Sequence, residues 1–201
     1  MTTTIDNYGL SVSVEPTLEP VSLAEMKDWL RIDHTSDDDL ISGLVASARK
    51  EVENLTRRSF INRTLIQTQP DFPACDTLVL RASPVSSVTT VAYTDQNGDS
   101  QTLSASTQYR VVTDRIRPYI KLRDGITWPS VESGNDSAVT ITMVAGNGAT
   151  AATVAANVQT SIKMVVAYAY ENRGDGRPVV RLDQVRRVVE QQLGAEMILE
   201  F

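Results

Sequence analysis

The sequence predicts an α+β fold. A helical bundle, made of a helix hairpin and later helices, carries an inserted antiparallel β-sheet or small β-barrel-like region and a C-terminal arm. Three observations predict it. Apolar residues recur at three- and four-residue spacing up to residue 58 and again from residue 157. Between these stretches lie short runs rich in β-branched residues, punctuated by Pro70, Pro73, Pro84 and Gly125. Helical spacing returns once more beyond a linker, Gly174-Asp175-Gly176-Arg177-Pro178. The boundaries that follow are an extended lead-in over 1–18, a core over 19–173 and a helical arm over 174–201.

The lead-in is rich in Thr and Ser and carries Pro16 and Pro20. A short helix over 22–31 follows, with Ser22 and Glu25 spaced as a capping box and Leu23, Met26 and Leu30 along one edge beside Trp29. Ile32-Asp33-His34 turns the chain into a long helix over 36–56. Its stripe is Leu40, Ile41, Leu44, Val45, Ala48, Val52 and Leu55, about six turns with one apolar side. Ser36 with Asp39 fits a looser capping box. Asp37 to Asp39 at the start, with Arg49, Lys50, Arg57 and Arg58 towards the end, suit the helix dipole. Such a stripe needs a cover, because most helical stability comes from packing it.

The β region spans about 62–146. Its strands are read at Thr64–Thr68, Thr77–Leu80, Ser87–Tyr93, Gln101–Leu103, Tyr109–Thr113, Tyr119–Leu122 and Ala138–Val144. Asn97-Gly98 is the favoured signal for a two-residue hairpin turn. A third helix over 157–172 lines up Val158, Ile162, Val165, Val166 and Ala169, with Gly174 in the C-terminal place. In the arm, Leu182, Val185, Val189 and Leu193 keep helical spacing before the apolar Met197–Phe201.

Composition narrows the function classes. With 201 residues, 41% hydrophobic and 22% charged, the chain has the makings of a folded soluble protein. A net charge of -6 gives no global basic footprint for nucleic acid, although Arg110 to Asp124 holds five basic residues against two acids. A solvated strand surface is the expected explanation of that cluster. The N-terminus lacks the features of a signal peptide, and no run approaches the ~18 apolar residues that span a bilayer. A soluble cytoplasmic product not engaged with membrane is expected.

No catalytic or cofactor constellation is visible. Cys75 is the single cysteine and His34 the single histidine, which excludes disulfides and multi-Cys or multi-His zinc sites within the chain. Cys75 reads as a buried or incidental thiol and His34 as a surface turn residue. Asp37-Asp38-Asp39 lacks the spacing of a calcium loop and reads as helix capping. Gly146-Asn147-Gly148 lacks the Lys-Ser/Thr of a phosphate loop and reads as a strand-to-helix connection. Arg173-Gly174-Asp175 matches an adhesion tripeptide by a length too short to count.

In order and spacing, these segments resemble a family. Pro20 to Ile32 (PVSLAEMKDWLRI) followed by Asp37 to Ile41 (DDDLI), with Ala48, Glu51 or Glu53, and Arg57 or Arg58, resembles the opening of tailed-phage head-tail connector proteins of the HK97-type and phiE125-type. Ser83 to Val88 with Tyr93, Asp95 and Gly98 resembles that family's hairpin. Trp128-Pro129, Val139 to Thr142 with Ala145-Gly146, and Ile162-Lys163 with Tyr170 to Arg173 resemble its later motifs. The match runs over about 18–173. Thr56 stands where the family commonly has Gly, Met143 where it has an aromatic, and Asn147 where it has Tyr.

The resemblance implies a non-enzymatic structural adaptor at the virion neck. It would be a homo-oligomeric ring, often a dodecamer, bound beneath the portal protein and joined to a neck, stopper or tail-terminator protein. DNA would pass through the lumen without sequence-specific binding. Subunit contacts are expected at Asp37, Asp38, Arg49, Lys50, Arg57 and Arg58, whose opposite charges neighbouring copies can pair. Reversing Arg49 and Lys50 is then expected to weaken assembly and spare folding. Portal docking is expected from the arm through Arg177, Leu182, Val185, Val189, Met197, Ile198, Leu199 and Phe201, so that deleting 177–201 leaves a folded protein without portal binding. The alternative from another class is a β-sheet binding module of a tail or baseplate protein. It would need exposed aromatics on the sheet, and the chain has 2 Trp, 6 Tyr and 3 Phe.

Overall fold

The β-branched runs pair into two antiparallel sheets, and the apolar helical stripes gather on a core of their own. The structure, a computed structural model, describes residues 9–113, 117–172, 187 and 189–194. The chain divides into two units, one of Met1–Pro16 with Asn62–Asn147, the other of Thr17–Ile61 with Gly148–Phe201.

The first unit holds β1 (Leu10–Val14), β2 (Arg63–Gln69), β3 (Thr77–Val79), β4 (Val85–Thr94), β5 (Ser100–Thr102), β6 (Tyr109–Val112), β7 (Tyr119–Leu122) and β8 (Val139–Ala145). Five strands lie in the order β1-β2-β8-β4-β5 and three in the order β3-β7-β6. The central strand β8 alternates strictly, burying Val139, Ile141, Met143 and Ala145. These residues meet Leu78, Tyr109, Ile120 and Leu122 of the three-stranded sheet, so both sheets close over one core. Gln67 of β2 is 1% exposed and sits in that core. Its amide donates to Val79 O at 3.1 Å and accepts from Arg81 N at 2.8 Å, satisfying the edge of β3.

β4 breaks the alternation that a strand should show. Its register against β8 shifts twice, between Val85 and Ser87 and between Val88 and Thr90. Each extra residue is a bulge, so Val85, Val88 and Val91 face inward at a spacing of three. The Asn97-Gly98 turn also differs from the two-residue expectation. Gly98 has φ 86, whereas Asn97 is not among the residues with positive φ. Gly98 N donates to Asp95 O at 3.0 Å and Asp95 N to Asp99 O at 2.9 Å, a three-residue loop with a bulge at its glycine. The Asp95 carboxylate selects this form by accepting from Asn97 N at 2.8 Å and Asp99 N at 3.1 Å. Those two amides hold its pKa below the ordinary aspartate value of 3.8.

The lead-in is not simply extended. Residues 10–14 form β1, an edge strand antiparallel to β2. Gly9 makes the start possible: its φ is 79, and a Cβ there would lie 1.9 Å from Thr68 O. Its own carbonyl accepts from Thr68 N at 2.6 Å.

The second unit holds α1 (Leu23–Leu30), α2 (Asp38–Thr56), a 3-10 turn (Ala151–Thr153) and α3 (Ala156–Glu171). Ser22 and Glu25 form the expected reciprocal capping box. The capping box expected of Ser36 and Asp39 is not formed. Asp37 is the N-cap residue and makes no side-chain cap bond, while Ser36 Oγ pairs with His34 Nδ1 at 2.8 Å. Met26, Ile41, Val45, Ala48, Val52, Val158, Ile162 and Val166 build the core of this unit. Burying each larger side chain contributes about 1.5–3 kcal/mol. Leu40, expected on the stripe, is 41% exposed. Helical residues 189–193 join the core, with Val189 and Leu193 both 0% exposed. The helix stop expected at Gly174 lies outside the described residues. Among those residues, no helix is long and apolar enough to cross a membrane.

Substituting Gly9→Ala tests the pairing of β1. The left-handed backbone and the contact with Thr68 O are expected to cost at least about 1–2 kcal/mol. Amide exchange over 10–14 should accelerate while β8 stays protected. Unchanged exchange at β1 would show that the strand does not depend on Gly9.

Candidate assembly surfaces

The helical unit is held by charges that the sequence reading places on its surface. Arg49 is 2% exposed. Its Nε donates to Glu19 Oε2 at 2.8 Å and its Nη1 to Glu53 Oε2 at 3.0 Å. Glu53 is 3% exposed, and its other oxygen accepts from Phe60 N at 3.0 Å. The chain enters this unit at Thr17 and leaves it at Ile61. One guanidinium thus fastens the entry to α2 through Glu19, and the exit through Glu53. Two buried charges are costly to dehydrate, and the hydrogen bonds to Glu19 and Phe60 offset that cost. Thr56, also buried, donates to Val52 O at 2.8 Å and leaves Arg57 to take the left-handed C-cap with φ 57.

The acidic start of α2 is engaged within the subunit as well. The Tyr170 hydroxyl donates to Asp37 Oδ2, which ties α3 to the head of α2. Lys27 Nζ lies 2.7 Å from Asp38 Oδ1, which ties α1 to it. Asp39 is exposed. The three consecutive carboxylates therefore go three ways. Among the described residues no trio of His, Cys, Asp or Glu gathers into a metal cage.

Of the six charges read as subunit contacts, the structure withdraws Arg49 from the surface and commits Asp37 and Asp38 to neighbouring helices. Lys50 and Arg57 are exposed and Arg58 is half-buried. A signal for the buried pair was present: Arg49 and Glu53 stand four residues apart and flank Val45, Ala48 and Val52. Nothing in one sequence told that the flank would be covered. Among the described residues of this unit, three large apolar side chains are exposed instead, Leu18 at 53%, Trp29 at 49% and Leu40 at 41%. Lys163 Nζ sits 5.8 Å above the Trp29 ring.

Of the residues read as portal contacts, Val189 is the one within the described residues. It is buried in the helical core, and Gln192 in the same stretch accepts from Ser161 Oγ at 3.2 Å and from Asn157 Nδ2 at 3.4 Å. Val189 is therefore a core residue and not a docking residue. Deleting 177–201 would uncover α3, contrary to the expectation that folding survives. Arg177, Leu182, Val185, Met197, Ile198, Leu199 and Phe201 lie outside the described residues. Cys75 is exposed and donates to Thr77 O at 3.2 Å, so its thiol is incidental and not buried. His34 is exposed in the turn between α1 and α2.

Comparison with known proteins adds a family and a fold. A family profile described as "Phage gp6-like head-tail connector protein" matches residues 20–120. No curated protein matches the chain. Among solved structures, a chain in the neck of an empty gene transfer agent particle computed with C6 symmetry superposes with TM-score 0.76 at 22% identity. The match covers 96% of this chain and 97% of that one. A chain in the virion of the native gene transfer agent particle gives the same values. A chain in the native neck computed with C12 symmetry gives TM-score 0.72 at 21% identity, over 94% and 96% of the two chains.

Substitutions on α2 separate the buried charge from the exposed one. Arg49→Glu should lower stability by about 3–5 kcal/mol or prevent folding, because it sets carboxylates against each other in the core. Lys50→Glu should change stability by less than about 0.5 kcal/mol. Urea unfolding followed by circular dichroism reads both, and an Arg49→Glu protein as stable as the parent would contradict the network.

Proposed function

The chain belongs to the phage gp6-like head-tail connector family, and from that premise we propose that it is the head-tail adaptor of a tailed phage or phage-like particle. It sits at the neck as a homo-oligomeric ring, between the portal and the next neck or tail protein, with DNA passing through its lumen. The match over residues 20–120 carries the reading, since it takes in α1, α2 and the strands from β2 to β6. The family is one of structural connectors, not enzymes.

Two further observations support the ring. The similar neck chains come from particles computed with C6 and C12 symmetry. A net charge of -6 suits a channel that must release DNA, because strong phosphate binding would hold it back. In this reading α1, α2 and α3 form a bundle whose outer side meets the neighbouring copy. Lys50 and Arg57 are the exposed cations of α2 at that side, with Trp29 and Leu40 as its apolar anchors.

The portal contact is assigned to the last segment of the arm, Met197, Ile198, Leu199 and Phe201. These side chains are costly to leave in water and can dock by helix-in-groove or strand addition. Val189 and Leu193 belong to the core, so the informative truncation removes 195–201 and not 177–201. The truncated protein should keep its circular dichroism spectrum and lose co-sedimentation with portal-bearing particles. Portal binding that survives the truncation would end the arm assignment, and a full-length chain that never binds portal would end the adaptor reading itself.

A further inference from the structure

The basic stretch between Arg110 and Arg123 takes on a definite shape in the three-stranded sheet. Leu78, Tyr109, Ile120 and Leu122 point into the core, so the alternate residues point out. The register sets them in two rows across the strands. Thr77, Lys121 and Arg110 form one row, and Val79, Tyr119 and Val112 form the other. Val79 is 52% exposed. Arg81 and Arg117, both exposed, follow where β3 ends and β7 begins. Asp76 lies beside Lys121, with 3.3 Å between Oδ2 and Nζ. An apolar row therefore runs between cations on the outer face of this sheet.

The same unit carries a surface of opposite character. A cleft of about 490 Å3 is lined by Phe72 and Trp128, by three prolines, and by Asp71, Glu132 and Asp136. Among the described residues no Lys or Arg lines it. Trp128 stacks on Phe72 with ring centroids 4.7 Å apart, and its Nε1 donates to Cys75 O at 2.7 Å. The aromatic wall is thus fixed in place before anything binds, which lowers the entropy cost of binding.

We propose that the outer face of the β3-β7-β6 sheet of one copy seats on the acidic aromatic cleft of the next. The inference rests on the ring reading above and adds to its helical contact a second one, between the β units. Phosphate binding would need the cations but not the apolar row of exposed Val79 and half-buried Tyr119 and Val112. An apolar centre inside a charged rim is the anatomy of a protein interface. The cleft offers what that face lacks: aromatic and proline surface for the apolar row, and carboxylates for Arg110 and Lys121. Two different complementary patches on one chain make a heterologous contact, the kind that closes into a ring when the rotation permits.

Charge reversal in the full-length chain tests the pairing. One variant carries Arg110→Glu with Lys121→Glu, the other Glu132→Lys with Asp136→Lys. Sedimentation velocity, with circular dichroism as the check on folding, should show self-association weakened by about tenfold or more in each variant alone. An equimolar mixture of the two should recover assembly, because each reversed face then meets a reversed partner. Loss without recovery in the mixture overturns the proposal. Variants that assemble as the parent does overturn this contact and leave the ring reading standing. A parent that stays monomeric with and without portal overturns both. Loss of duplex DNA binding with assembly intact assigns the basic face to DNA and likewise overturns the proposal.

Discussion

Arg49 carries a full charge in the core of the helical unit, and the local fold is arranged to satisfy it. Glu19 reaches it from the entering chain, and Glu53 from one helical turn further along α2. Glu53 in turn accepts from Phe60 N, where the chain leaves the unit. A hydrophobic side chain at residue 49 would satisfy the core as well, or better, on energy alone. What the ionic arrangement adds is position: it fixes where both connecting segments cross α2. The contacts of Tyr170 with Asp37 and of Lys27 with Asp38 do the same at the other end of that helix.

This arrangement changes what the charges on α2 are for. Opposite charges at the two ends of a long helix look like complementary surfaces for neighbouring copies. Asp37, Asp38 and Arg49 are instead engaged inside the subunit, and removing a partner of Arg49 leaves a buried charge uncompensated. The surfaces we propose for assembly are of other kinds: Trp29 and Leu40 on the helical unit, and the basic sheet face and acidic cleft on the β unit. An acidic chain that places a small group of cations on one sheet face has a contact to offer without becoming a strong binder of DNA.

Much of the fold was legible in the sequence because the signals were local. The stripes of α2 and α3, the capping box of Ser22 and Glu25, and the alternation of β8 each depend on neighbours a few residues away. Where the reading went astray, the deciding partner lay far along the chain. Residues 10–14 alternate apolar and Ser (LSVSV), a strand pattern passed over beside Pro16 and Pro20, and pair with the edge of β2 as β1. The strand around Ser87–Tyr93 was legible, but its inward face, Val85, Val88 and Val91, is set by two bulges against β8. The hairpin at Asp95 takes a longer turn because the aspartate side chain captures two amides. Val189 looked like part of a docking arm, yet it has α3 to pack against. Arg49 looked like a surface cation because its partner Glu19 is 30 residues away.

The family places this chain among head-tail connectors, and the ring at the neck is the central claim built on it. Electron microscopy of the purified full-length chain, alone and mixed with the portal of the same particle, tests that claim most directly. The account predicts a closed ring of copies on one face of the portal, with a continuous central channel. Single subunits that leave the portal bare, or that gather without a channel, would contradict it.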